Sequence, residues 1–266
     1  MNIGLIIVGD EILSGKRRDQ HLQKVIELLA ARGMTLSWAR YAGDERELIT
    51  ADLRHAFGSG DLVFCCGGIG ATPDDHTRQS AAAALGVELA LHPQARDLIV
   101  QRMREVAAEK GQVFDADRAD NVHRLNMGVF PLGARIIPNP YNRIAGFSVG
   151  DVHFVPGFPV MAWPMIEWVL DTHYAQLQGH TRQPERSVIV MGAMGAMEAS
   201  LTPLMIDVEA RFPGIKVFSL PSVDHPQWGK HIELGVKGEG DGLAAYEALK
   251  LGLHQFGAVL GPELVR

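Results

Sequence analysis

A chain of 266 residues has room for one large domain, or for a mid-sized one with a smaller companion. Hydrophobic residues make up 47% and charged residues 21%, so a core of useful size can form without disulfides or a structural metal. The 25 Lys and Arg against 31 Asp and Glu give a formal charge of −6, which leaves no basic surplus for nucleic-acid binding. A cationic pocket for phosphate would have to be assembled residue by residue.

The first element is the continuous apolar run Ile3–Val8, the pattern of a strand buried on both faces. It meets Asp10 and Glu11 at once and has no charged leader, so it reads as a strand and not as a signal peptide. No apolar run approaches the roughly 18 residues needed to cross a bilayer. Residues 19–31 carry Leu22, Val25, Ile26, Leu28 and Leu29 at helical spacing, with Gly33 as a stop. A second strand is predicted over residues 34–41, and a second helix over 45–57 with Asp44 as its N-cap. The third strand, Leu62–Cys66, runs directly into Gly67-Gly68. Thr72 is the expected cap of the next helix, with Pro73 at its first position and Gly86 near its end. Cys65 and Cys66 are neighbours whose side chains point to opposite faces of a strand, so they read as small buried hydrophobes and fit a reducing, cytoplasmic setting.

This β-α-β-α-β-α alternation predicts a mostly parallel sheet with helices on both sides. Such sheets take ligands beyond the C-terminal ends of their strands. Gly9-Asp10-Glu11 and the Gly67 loop should therefore meet on one rim. After a helix over residues 93–110 come short strands at 134–137, 144–149 and 152–155, then a helix containing Trp163, Ile166, Val169 and Leu170. Residues 179–184 form the best linker candidate, which sets domains at 1–178 and 184–266. The second is expected as a small α+β unit of βαββα type.

The chemistry concentrates in GGIGATPDDHT. Gly67, Gly68 and Gly70 permit positive φ angles and remove Cβ atoms that would block a ligand. The backbone N–H groups of Gly68, Ile69, Gly70 and Ala71 can then converge on phosphate oxygens. Asp74 and Asp75 suit a helix N-terminus, so capping alone could account for them. Beside a phosphate they would repel it unless a cation intervened, and Mg²⁺, Mn²⁺ or Co²⁺ held by Asp74, Asp75 and phosphate oxygens resolves that conflict. Asp10 and Glu11 admit either capping or a place in the site. Lys16, Arg17 and Arg18 read as a solvated run able to face phosphate from the rim. Ser14 and Ser148 lack a nucleophile elbow.

These residues resemble a known family. GGIGATPDDHT is similar to the GGxGxTxDD signature of the MoaB/Mog molybdopterin-binding fold. IIVGDEILSGK, followed by a helix and Asp44, resembles the version in the competence/damage-inducible protein A (CinA) family. Asn139-Pro140, Ala145-Gly146-Phe147 and Pro156-Gly157-Phe158-Pro159 are similar to later signatures, and the resemblance runs over about residues 1–175. It implies a three-layer α/β sandwich, commonly oligomeric, followed by a small α+β domain like the module of CinA-like proteins. It does not extend to a deamidase domain. Departures are Ala71 for a usual Pro, His21 for Asn, the altered segment NPYNRIAGF with Arg143, and Val160-Met161 where Glu is usual.

The resemblance implies that the functional aspartates fall on Asp44 and Asp75. Two chemistries follow from it. CinA-type members are associated with metal-dependent hydrolysis of ADP-ribose, and molybdenum-cofactor members adenylylate molybdopterin. The leading expectation is a metal-dependent nucleotide-diphosphate hydrolase in which Asp44 or Glu11 accepts a proton from water. Gly9, Asp10, Gly67, Gly68, Ile69, Gly70, Ala71, Thr72, Thr77, Asn139, Pro140 and Arg143 would surround the ligand. The rivals are a molybdopterin-binding or adenylyl-transferring protein and a non-catalytic ligand binder. The expected partner is a small phosphorylated molecule, nucleotide or molybdopterin, together with other copies of the same chain, and neither nucleic acid nor membrane.

Overall fold

The computed structural model describes residues 1–178, 184–191 and 198–266, so the predicted linker lies outside the described residues except for Pro184. The chain divides into two compact units at residues 179 and 180.

The first unit is built on six strands in the order β2-β1-β3-β8-β7-β6. They are β1 (Ile3–Val8), β2 (Trp38–Ala42), β3 (Leu62–Cys66), β6 (Arg135–Ile137), β7 (Gly146–Val149) and β8 (Val152–Val155). β2, β1, β3 and β8 run parallel, and β7 and β6 add an antiparallel hairpin. Period-two alternation sorts the strand residues between two cores. Leu5, Ile7, Phe64 and Cys66 face the helices α2 (His21–Ala30) and α7 (Pro159–His173). Ile6, Val8, Val63 and Cys65 face α3 (Arg46–Ser59) and α4 (Thr77–Leu85). The two cysteines thus lie in opposite cores, and both are free and buried. This is the expected three-layer sandwich. A four-residue α1 (Asp10–Leu13) and α5 (Pro93–Glu109) complete its main helices; α6 (Ala119–Arg124) and a two-stranded ladder of β4 (Leu89–Leu91) with β5 (Val129–Pro131) were not predicted.

From β1 the chain passes through α2 on one face to β2, then through α3 on the opposite face to β3, on the far side of β1. The winding therefore reverses between β1 and β3, and the crevice at such a switch point opens beyond the strand C-termini. Gly9 and Gly67 are the first residues past those two termini.

Two local expectations fail. The helix after the glycine loop begins at Thr77, not at Thr72-Pro73. Thr72 opens a turn that Asp75 closes, with Asp75 N–H donating to the Thr72 carbonyl at 3.0 Å and the Asp75 carboxylate accepting from Thr72 N–H at 2.8 Å. Asp44 does not cap α3: Glu45 holds the cap position, and the Asp44 carboxylate accepts the N–H of Asp10 instead.

The second unit contains β9 (Arg186–Met191), α8 (Glu198–Arg211), β10 (Ile215–His225), β11 (Gly229–Gly238), α9 (Gly242–Gln255) and β12 (Val259–Val265). An antiparallel sheet ordered β10-β11-β9-β12 packs Val188, Val190, Leu234 and Val236 against Leu201, Val208, Leu249 and Leu253 of the two helices. The order is βαββαβ, one strand (β12) more than the expected βαββα. Gly261-Pro262 interrupts its pattern, and the strand tolerates them through a register shift between Leu260 and Glu263.

A largely buried polar chain, ending on the exposed Asp151, sits beside the first core. Tyr174 Oη donates to Asp151 at 2.7 Å, so it accepts from His153 Nε2 at 2.8 Å, and His153 Nδ1 accepts from Ser148 Oγ at 2.7 Å. His153 is fully buried and Ser148 nearly so, which closes this serine–histidine pair to any substrate. Burial, aided by His173 and Arg135, pushes the His153 imidazole down to about 3. An unfolded histidine takes up its proton near pH 6.5, so stability is lost as pH falls from about 6.5 toward 3. At pH 5 the loss from this one group is about 2 kcal/mol. Urea unfolding at pH 7 and pH 5 should show that drop, and His153→Gln should shrink it by about the same amount; an equal drop in the variant would remove His153 as its source.

Candidate functional site at the glycine loop

The loop is shaped by backbone crowding. Gly67 has φ 104°, and a Cβ there would stand 2.3 Å from the Val8 carbonyl oxygen. Gly68 has φ 68°, and its Cβ would meet the Thr77 hydroxyl. Both positions therefore require glycine. Gly70 has no positive φ, contrary to expectation. Glycine is needed there because a Cβ would lie 2.5 Å from an Asp75 carboxylate oxygen. Thr77 fastens the loop to α4: its hydroxyl donates to the Gly67 carbonyl at 2.9 Å and its N–H to the Gly68 carbonyl at 3.0 Å. Thr77 is fully buried, so it shapes the loop from beneath and presents nothing to a ligand.

Along this loop the N–H of Gly67 donates to Val155 and that of Thr72 to Asp75. Among the described residues, the four N–H groups between them, from Gly68 to Ala71, donate to no protein acceptor.

The neighbouring strand ends supply carboxylates. Asp10 and Asp44 bond reciprocally, Asp10 N–H to Asp44 at 3.0 Å and Asp44 N–H to Asp10 at 3.2 Å. This clasp ties the end of β1 to the end of β2, as does Gly9 N–H to the Ala42 carbonyl at 3.0 Å. Glu11 folds back over Gly9, where a Cβ would be 2.5 Å from its carboxylate. Burial pushes the Asp44 carboxyl above its usual range, and the charges of Asp10, Glu11 and Asp74 push it further, against the Asp10 N–H. The adjacent aspartates thus play different parts: Asp74 adds to the field at Asp44, while Asp75 takes the Thr72 hydroxyl at 2.5 Å and lies toward Arg78.

On that second side a cleft of about 420 Å³ opens, lined by Ala71, Thr72, Asp75, Arg78 and His123 among others. Arg78 donates to the carbonyls of Gly70 and Asn126, and His123 Nε2 lies 2.9 Å from the Ala71 carbonyl. Sequence reasoning passed over Arg78. Its signal was a cation in the first turn of a helix, where the dipole disfavours positive charge.

Three expected ligand residues stand elsewhere. Asn139 is buried and closes its own loop through Asn142, Ile144 and Tyr141. Arg143 pairs with Glu105 at 3.0 Å, with its backbone at φ 65°. Together with Pro140, these residues line a separate, mostly apolar cleft with Leu98, Pro164 and Trp168. Within one chain they are not brought to the glycine loop, because the β6–β7 hairpin carries them to the edge of the sheet. No helix among the described residues is long and apolar enough to cross a membrane.

The crowding of carboxylates predicts a coupled titration. Asp74→Asn removes one negative charge and should lower the Asp44 pKa toward its ordinary value, read by carboxyl-carbon NMR; an unchanged Asp44 titration would separate the two groups.

Residues 4–178 match the family model described as "Probable molybdopterin binding domain". A CinA-like protein of Citrifermentans bemidjiense is 29% identical over 209 residues, 77% of this chain and 47% of its own. One from Anaeromyxobacter sp. (strain Fw109-5) is 31% identical over 182 residues, 66% of this chain and 42% of its own. The chain thus spans less than half the length of these relatives. A solved structure, that of the protein CinA with unknown function from Thermoplasma acidophilum, matches with a TM-score of 0.54 at 25% identity, covering 64% of this chain and 98% of that one. With two thirds of its length matched and its glycine loop at the switch point of a three-layer sandwich, the chain belongs to the molybdopterin-binding domain family in its CinA-like form.

Proposed function

We propose that the chain is a divalent-metal-dependent hydrolase of a nucleotide diphosphate such as ADP-ribose, acting at the loop of residues 67–72. The observation that carries this reading is the run of four unengaged N–H groups from Gly68 to Ala71 beside a cluster of carboxylates. The N–H groups suit phosphate oxygens. The carboxylates would repel that phosphate, and a cation reconciles the two.

The donors on this rim are all hard oxygens, which fit Mg²⁺, Mn²⁺ or Co²⁺. Among the described residues no three His, Cys, Asp or Glu side chains form a ready metal group. An ion here would be held by one or two carboxylates together with phosphate oxygens. Asp74 is the outward carboxylate of the pair, and Asp75 would join it if its bonds to Thr72 yielded. When bound, the cation would offset diphosphate charge and make water a better nucleophile.

The remaining steps belong to the chain's own residues. The Gly68 to Ala71 N–H groups would stabilise charge developing on the phosphoryl oxygens. Asp44 would accept the proton from water, and its raised proton affinity brings it nearer the working pH. Glu11, folded over Gly9, stands next to it as the alternative acceptor.

Purified protein given ADP-ribose with Mg²⁺, Mn²⁺ or Co²⁺ should release AMP, detected by product mass; no release with any of the three would overturn the reading. Asp75→Asn keeps an oxygen for Thr72, so the fold should survive while turnover falls by at least about 100-fold. Wild-type rates from that variant would remove Asp75 from the machinery. A second reading, molybdopterin binding or adenylylation, is favoured by the family description, and transfer of AMP from ATP to molybdopterin would support it.

A further inference from the structure

The cleft of about 420 Å³ on the Asp75 side of the loop has an unusual charge distribution. Arg46 is the first residue of α3 and Arg78 the second of α4, so each cation sits where the helix dipole is already positive. Both line this cleft, with His76 and His123. The one carboxylate among the lining residues, Asp75, already accepts the N–H and hydroxyl of Thr72.

Arg78 is the sharper anomaly. It is only 4% exposed, and it donates to two neutral carbonyls, of Gly70 and Asn126. Its Nε has no hydrogen-bond partner. Among the described residues neither Arg46 nor Arg78 forms an ion pair with a carboxylate. Burial lowers the Arg78 guanidinium below its ordinary value, and Asp75 only partly offsets this. A buried, uncompensated cation costs several kcal/mol in general. Arg78 is such a cation, Arg46 adds an exposed positive charge at a second helix N-terminus lining the same cleft, and an anion would stabilise the pair.

We propose that this cleft is an anion subsite for a phosphate group, separated from the carboxylate rim by the turn of residues 72–75. A phosphate there would meet the Arg46 guanidinium, whose planar fork matches its oxygens, with the buried Arg78 charge and the positive ends of α3 and α4 behind it. Assigning that phosphate to the same nucleotide ligand rests on the reading above; capture of the anion does not. On that reading, the preferred substrates carry a further phosphate monoester beyond the diphosphate.

The test is a titration of the whole chain with inorganic phosphate, in EDTA and low salt, so that the carboxylate rim cannot contribute through a metal. Calorimetry should show saturable binding that Arg46→Gln weakens at least about ten-fold with Tm unchanged, since Arg46 is exposed. Arg143→Gln, which removes an equal charge at the separate cleft, should not weaken it. Wild-type affinity in Arg46→Gln, or no saturable binding by the wild-type chain, would overturn the subsite. Turnover of ADP-ribose with phosphate binding untouched by Arg46→Gln sinks the subsite alone. Lost phosphate binding in that variant, with no turnover by the wild-type chain, sinks the hydrolase reading alone.

Discussion

The close approach of Gly67 to the last carbonyl of β1 is the contact on which the site depends. A side chain there would place a Cβ 2.3 Å from the Val8 oxygen, so the loop could not turn over the end of the neighbouring strand. With glycine, the loop leaves β3 close against the end of β1. The parallel pairing of β1 with β3 supplies the adjacency, and the reversal of winding between them keeps the crevice free of a covering helix.

From that contact the turn of residues 72–75 divides two environments. On one side Asp10, Glu11, Asp44 and Asp74 concentrate negative charge, and burial makes Asp44 hold its proton more firmly. On the other side Arg78 and Arg46 concentrate positive charge at two helix N-termini. Asp75 belongs to the turn between them, tied to Thr72 and within the field of Arg78. A ligand with phosphate groups and a cation would complement both sides, whereas a neutral molecule would complement neither.

The loop is also rigidly held. Thr77 bonds the carbonyls of Gly67 and Gly68, Arg78 that of Gly70, and His123 lies against that of Ala71. Among the described residues, the N–H groups of Gly68 to Ala71 are left without a protein acceptor. Preorganised donors of this kind need no rearrangement when charge develops on a ligand.

The strands, the helices and the glycine loop were legible in the sequence because they rest on local rules: apolar period, glycine stops and loop composition. So was the placement of Cys65 and Cys66 on opposite faces, which follows from the two-residue repeat of a strand. Local rules failed where a distant group competed for the same bond. Asp44 has the form of a cap, but the N–H of Asp10, 34 residues away in sequence, takes its carboxylate. Thr72 has the form of a helix start, but Asp75 reaches back and closes a turn. Arg143 looked like a phosphate ligand by its neighbours in sequence, yet the β6–β7 hairpin carries it to Glu105. The sequence by itself therefore determined which segments form the sandwich and where the glycine loop falls. Only the tertiary structure decided which carboxylates share a field, and that Arg78 is buried with its Nη groups on neutral carbonyls. Both depend on desolvation and distance between segments far apart in the chain, quantities that no local pattern encodes.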